Sequence, residues 1–215
     1  LTPDQIRGLN TQNIGIRRLS DQQVGWLAYW QIRTLSYGDF NRLTPAQVPM
    51  LLGRQLSQIP SDWWFGRMSS ESRVALSPRQ VRSLNVEALG LRRLTAPQVE
   101  NLTAEQIQSV GFREFRYIGP AQIPLLTAAQ VGTIESSWWF SRMSEDARAA
   151  LTAEQVQALD VATTGIGLLT RDQIDALSVE QIQSLGYREF RYLNPEQTPL
   201  LTADQIAPIP NSWWF

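Results

Sequence analysis

Leu102-Thr103-Ala104-Glu105-Gln106-Ile107-Gln108-Ser109-Val110 reads as a Leu followed by an eight-residue unit, T-x-x-Q-I-x-x-aliphatic. Thr2–Leu9, Thr95–Leu102, Thr127–Ile134, Thr152–Leu159 and Ser178–Leu185 follow the same plan. The first position is filled mainly by Thr, Ser, Asn, Asp or Gly, the residues that cap helix N-termini. The fourth is usually Gln and sometimes Glu, which is the spacing of a capping box. Pro3, Pro45, Pro78, Pro120 and Pro195 occupy the second position, the first of a helix, where Pro is tolerated best. Aliphatic residues at the fifth and eighth positions lie three apart, on one face of a short helix.

A single long helix cannot keep this pattern on one side. Eight residues overshoot two turns by about 80°, so the apolar stripe would spiral away. The recurrent prolines would also break it. Pro49, Pro124 and Pro199 stand at the sixth position of one piece per repeat, which leaves room for little more than one turn. Apolar spacings of three and five do not alternate, so a strand fails as well. Each octad is therefore expected to be a helix of one to two turns that restarts at the next cap. Such helices are too short to be stable alone and must stack their apolar positions on neighbours, as in solenoids.

The octads belong to a larger repeat. Trp-Trp-Phe ends at Phe65, Phe140 and Phe215, 75 residues apart each time. Gly111-Phe-Arg-Glu-Phe-Arg-Tyr117 returns as Gly186-Tyr-Arg-Glu-Phe-Arg-Tyr192, and Gly66-Arg-Met-Ser69 as Ser141-Arg-Met-Ser144. The fold expected is all-α: a solenoid or superhelical array of short capped helices in three super-repeats. These are 1–65 (lacking its first ten residues), 66–140 and 141–215, in one continuous array. Gly15, Gly90 and Gly165 mark a ten-residue piece in each copy, where a loop or a positive-φ turn is expected. If 75 residues made one superhelical turn, residue n would stack near n+75 and the Trp-Trp-Phe clusters would form a ladder.

Composition narrows the chemistry. There is no Cys and no His, and all 19 basic residues are Arg. Disulfides, thiolate nucleophiles and the commonest metal ligand and general base are absent. No apolar run approaches the ~20 residues of a membrane-spanning helix. The chain begins with Leu and shows no signal peptide, so it reads as an excerpt of a longer protein. Lysine absence has two readings, service inside a ubiquitin-using foreign cell or a genome that favours Arg codons. Carboxylates such as Asp172, Asp175 and Glu180 fall at exposed octad positions, where solvation and helix-start electrostatics account for them. No pair of them is nominated for catalysis, and no cofactor is expected.

Two departures from the octad could carry recognition. The Trp-Trp-Phe clusters, with Trp63, Trp138 and Trp213 leading, either fill the core with one Trp as a corner-piece or expose one to a partner or a sugar. The segments ending at Tyr117 and Tyr192 interleave aromatics with Arg113, Arg116, Arg188 and Arg191. They either grip a partner by stacked guanidinium and ring or bury Phe115 and Phe190 and leave the arginines solvated. Nucleic acid fits less well. The third copy has five Arg against ten acids, where a DNA- or RNA-binding array would keep a basic stripe.

Leu1-Thr2-Pro3-Asp4-Gln5 resembles the opening of the repeats of transcription-activator-like effectors. Those repeats run for roughly 34 residues, a period this chain lacks, and their function is not carried over. The L-T-x-x-Q motif also resembles one borne by a periplasmic stress-chaperone family. Nearly the whole chain is similar to long L-T-x-x-Q-I-x-x-L tandem arrays in very large bacterial adhesin-, toxin- or effector-type proteins. That resemblance implies a modular protein, secreted or translocated from a bacterium, and supplies no site residues. The function expected is a non-enzymatic binding or spacer module that meets a protein partner through its recurring Arg and aromatic positions. The alternatives are a carbohydrate-binding array using exposed Trp and a nucleic-acid-binding solenoid.

Overall fold

The octads fold into helices of four to six residues, each entered through an N-cap. The structure, a computed structural model, describes residues 1–134, 137–190, 199, 201–207 and 209, with the side chains of Phe112 and Tyr187 left aside. All regular structure among the described residues is helical, and none of it is strand. In the helix Ala104–Ser109, Thr103 Oγ1 accepts from Gln106 N at 3.1 Å, and Gln106 Oε1 accepts from Thr103 N at 2.9 Å. Thr2, Ser20, Thr152, Ser178 and Thr202 cap in the same reciprocal way. Pieces with Pro at the sixth position tighten to the short 3₁₀ helices Val48–Met50 and Ile123–Leu125. Pro45 and Pro120 stand in turns just before these and not at a helical first position. Gly15, Gly90 and Gly165 have φ of 71°, 70° and 89°, the left-handed region expected of their pieces. The fifth and eighth octad positions form the core: Ile6, Val24, Val99, Val131, Val156, Ile174 and Ile182 are sealed from solvent, and Leu27, Leu35, Leu102, Val110 and Leu177 are nearly so.

The chain divides into two compact units, Leu1–Val110 and Gly111–Phe215. In the first unit, the capping Gln reaches beyond its own helix. Gln31 Nε2 donates to Ile6 O at 3.0 Å and Leu9 O at 2.8 Å. Gln80 Nε2 donates to Val48 O and Leu51 O, both at 2.8 Å. Gln106 Nε2 donates to Val81 O and Leu84 O at 3.1 and 2.8 Å. The second acceptor of each pair, Leu9, Leu51 or Leu84, lies past the end of a short helix, where carbonyls lack an intrahelical partner; the first, Ile6, Val48 or Val81, also accepts the N–H of that second residue. Where Ala28 and Leu52 stand at the cap, no hydroxyl is available, yet Gln31 and Gln55 still accept the cap N–H and donate backwards. The cross-helix bond thus persists where half of the capping box is lost.

The second unit repeats the device. Gln155 Nε2 donates to Ile123 O and Leu126 O at 2.7 and 2.6 Å. Gln181 Nε2 donates to Val156 O and Leu159 O at 2.9 and 2.8 Å. Gln173 and Gln205 reach Arg148 O and Leu177 O. The partner carbonyls lie 22 to 32 residues back in the chain. The neighbour bonded across is thus about a third of a 75-residue repeat away in the chain.

The octad that starts at Ser36 carries a carboxylate at the Gln position. Asp39, 2% exposed, accepts from Ser36 N and Ile16 N at 3.0 and 2.9 Å. Gly15, with its positive φ, precedes Ile16 and turns that N–H toward the acid. An amide donor there would face another donor. The residue at the fourth position is therefore matched to the backbone group it must satisfy.

Candidate functional site

Trp63, Trp64 and Phe65 sit on the four-residue helix Asp62–Phe65 of the first unit. Successive residues of a helix point about 100° apart, so the three rings go three ways. Phe65 is fully buried, Trp64 is half-buried with its ring edge-on to Phe40 at 5.5 Å, and Trp63 is 52% exposed. The corner-piece expected of a Trp is supplied by the Phe. Trp63 meets Trp64 edge-to-face at 5.4 Å and leans on Tyr37 at 4.8 Å. Arg67, four residues on, lays its guanidinium over the Tyr37 ring at 3.9 Å, with the Trp63 ring at 5.1 Å. Such cation–π contacts are worth roughly 0.5–1 kcal/mol at exposed sites, so the cluster is held together in advance of any partner. Beside it, Asp62 binds Arg92 at 2.5 Å and Arg93 at 2.7 Å. The packing is close: a Cβ on Gly66 would stand 2.3 Å from the Arg93 guanidinium carbon.

The second unit builds a related cluster on the helix Ser137–Phe140. Phe140 is buried, Trp139 is half-buried against Phe115 at 5.3 Å, and Trp138 is 54% exposed. Arg142, again four residues after the exposed Trp, stacks over Trp138 at 4.5 Å. The 3₁₀ helix Phe112–Tyr117 buries Phe115 completely and exposes Arg113, Arg116 and Tyr117. Arg116 stacks on Tyr117 at 4.7 Å and donates to its hydroxyl at 2.7 Å. Arg188 is exposed on Tyr187–Phe190. Arg191, Tyr192 and Trp213 lie outside the described residues.

Not every arginine faces outward. Arg73 and Arg148 are half-buried and donate to Met68 O and Met143 O at 2.5 and 2.6 Å. Burial holds the Arg73 guanidinium below its ordinary pKa, and repulsion from Arg93 adds to this.

Of the residues singled out in the sequence, the structure joins Arg116 to Tyr117. It couples Trp63 and Trp138 to arginines that were not singled out, Arg67 and Arg142. Their signal was present in the Arg-Met-Ser motif, which places Arg four residues after each exposed Trp, within reach on a helix. Tyr37 was hidden because the first copy has diverged there. Tyr29 and Trp30 form a further exposed pair in the first unit, edge-to-face at 5.2 Å, on an octad whose first position is Ala28. Among the described residues, no group of three or more acidic side chains is placed to hold a metal ion, and no helix is long and apolar enough to cross a membrane. No family model matches the chain, and comparison with curated proteins finds no significant relative.

Proposed function

We propose that the chain is a helical solenoid serving as a non-enzymatic protein-binding module, with its Trp–Arg stacks as the anchors. The observation that carries the reading is the pair Trp63/Arg67 and Trp138/Arg142: a half-exposed indole with a guanidinium already laid beside it, at the same place in two sequence repeats. Trp, Tyr and Arg are the residues that dominate protein interfaces, and a pre-stacked pair loses little entropy when a partner docks. The solenoid is supported by the backward Gln bonds, whose spacing fits three coils of about 25 residues in each 75-residue repeat. A periodic surface would add avidity for a partner that itself repeats. The L-T-x-x-Q likeness supports a setting within a larger bacterial secreted or translocated protein.

A carbohydrate-binding array is the second reading, favoured by the exposure of Trp63 and Trp138. It is weaker because a guanidinium already lies over the Trp138 ring, on a face a sugar would need. Glu135, an acid that would flank such a sugar, is outside the described residues. Nucleic acid is opposed by the acidic third copy. The test is site-specific photocrosslinking from positions 63 and 138 in the producing cell and in a host lysate, with positions 21 and 100 as controls. One protein crosslinked from both Trp positions and from neither control is the expected result. Equal labelling from all four positions, or quenching of Trp fluorescence by a defined glycan without protein capture, would overturn the reading.

A further inference from the structure

The second unit contains a cavity of about 500 Å³ lined by Ser137, Thr163, Thr164, Leu168, Arg188 and Glu189, together with Gly165 and Gly167. The first unit shows what belongs at the equivalent place. There the helix Asp62–Phe65 packs against Val86–Leu89, as Ser137–Phe140 packs against Val161–Thr164. Counting forward by the 75-residue repeat, Asp62 becomes Ser137, Arg92 becomes Gly167 and Arg93 becomes Leu168. Asp62 with its two arginines is a charged plug in the first unit. In the second unit all three are replaced together, and their replacements, Ser137, Gly167 and Leu168, line the cavity.

We infer that this cavity is a binding site for a small zwitterion, an α-amino acid with an apolar side chain. Arg188 has no ion-pair partner among the described residues, and its planar fork suits a carboxylate. Glu189 lines the same space; its Oε2 accepts from Gly186 N at 3.1 Å, and its carboxylate suits an ammonium group. A simple anion would meet that carboxylate unfavourably, whereas a zwitterion satisfies both charges. Leu168 and Ala162 offer an apolar wall. The hydroxyls of Thr163 and Thr164 are turned to Asp160, at 2.6 and 2.9 Å, so they shape the site and leave the charged pair to orient the ligand. The volume is in the range of small-molecule sites, roughly 300–1,000 Å³. The inference stands on this cavity alone and does not depend on the Trp–Arg stacks.

The test is isothermal titration of the full chain with L-leucine and L-tryptophan. Saturable binding is expected, with N-acetyl-L-leucine, which lacks the ammonium, and L-leucinamide, which lacks the carboxylate, each weaker by about tenfold or more. The triple variant S137D/G167R/L168R copies the plug of the first unit into the second and should abolish binding while the helical circular dichroism is kept. R188Q, at an exposed position, tests the site without touching the core and should weaken binding by about tenfold or more. No heat from either amino acid at about 10 mM, equal affinity for a blocked analogue, or binding unchanged in R188Q would overturn the assignment.

Discussion

A single glutamine side chain joins two levels of this structure. Gln155 is 2% exposed; its Oε1 accepts the Thr152 N–H and its Nε2 donates to two carbonyls. The reverse amide orientation would set donor against donor and acceptor against acceptor, so the arrangement admits one answer. Q155M removes the side-chain partner of Thr152 N and Leu126 O, while Ile123 O keeps the Leu126 N–H, and should cost about 2–4 kcal/mol, since each unsatisfied group costs about 1–3 kcal/mol and water recovers part of it. Q155E should cost at least as much, about 3 kcal/mol or more, because it adds a buried charge facing two carbonyl oxygens. Urea unfolding measures both, and a Q155E variant as stable as the parent would contradict the role assigned to the amide. At Asp39 the logic inverts, since the group opposite is the Ile16 N–H. D39A is expected to destabilise by about 1–3 kcal/mol, read by the same method.

At the level of elements, caps and glycines decide where each helix starts and stops. G90A places a side chain at φ of 70°, at a cost of about 1–2 kcal/mol. G15A should cost more, because its Cβ would also stand 2.9 Å from Asp39 Oδ1. Thermal melts of the two variants check the order, and equal losses would argue against the Asp39 contact. Glu71, Glu105 and Glu180, at the second helical position of their octads, have pKa values held below the ordinary glutamate range. The backbone N–H of the same residue contributes most, followed by the capping hydroxyl of Ser69, Thr103 or Ser178. A lowered folded-state pKa contributes stability that is present above the unfolded value and lost as pH falls through the folded one. The window therefore lies on the acid side of the ordinary glutamate range. Carboxyl NMR titration should give midpoints below that of a free glutamate, and midpoints at or above it would refute the assignment. This scale was the most legible in the sequence. The caps at Thr103, Thr152 and Ser178, the positive-φ glycines and the one-turn pieces at Pro49 and Pro124 were all readable, because each depends on residues within four positions of one another.

For the whole molecule, the backward bonds set a register that deletions can probe. Gln80 meets Val48 and Leu51 in one unit, and Gln155 meets Ile123 and Leu126 in the other, at identical chain separations. Deleting residues 66–140 would place Gln155 opposite Val48 and Leu51, so that variant should retain helical circular dichroism and a cooperative melt. Deleting the one octad 95–102 removes Gln98 with its bond to Arg73 O and brings Gln106 eight residues closer in the chain to its acceptors Val81 and Leu84; it should lower the melting midpoint, as expected when neighbouring helices carry each other's stability. An octad deletion that melts like the parent, or a 75-residue deletion that fails to fold, would break the repeat argument.

Local chemistry lay open in the chain: helix type, cap positions, the apolar face and the repeat follow from side-chain preferences that act over a few residues. The distance to the packing neighbour did not, because nothing in an octad says which earlier helix has carbonyls to spare. Coordinates alone reveal the second use of the Gln, the pairing of Arg67 with Trp63 and Tyr37, and the burial of Phe65 in place of a Trp. The cavity at Ser137 is of the same kind. Its three replaced residues were visible at 75-residue spacing, but only packing brings Asp62 to Arg92 and Arg93 and so gives their joint loss a meaning. Bonds between groups 22 to 32 residues apart depend on how the short helices stack, and stacking is settled by the fold and not by the octad.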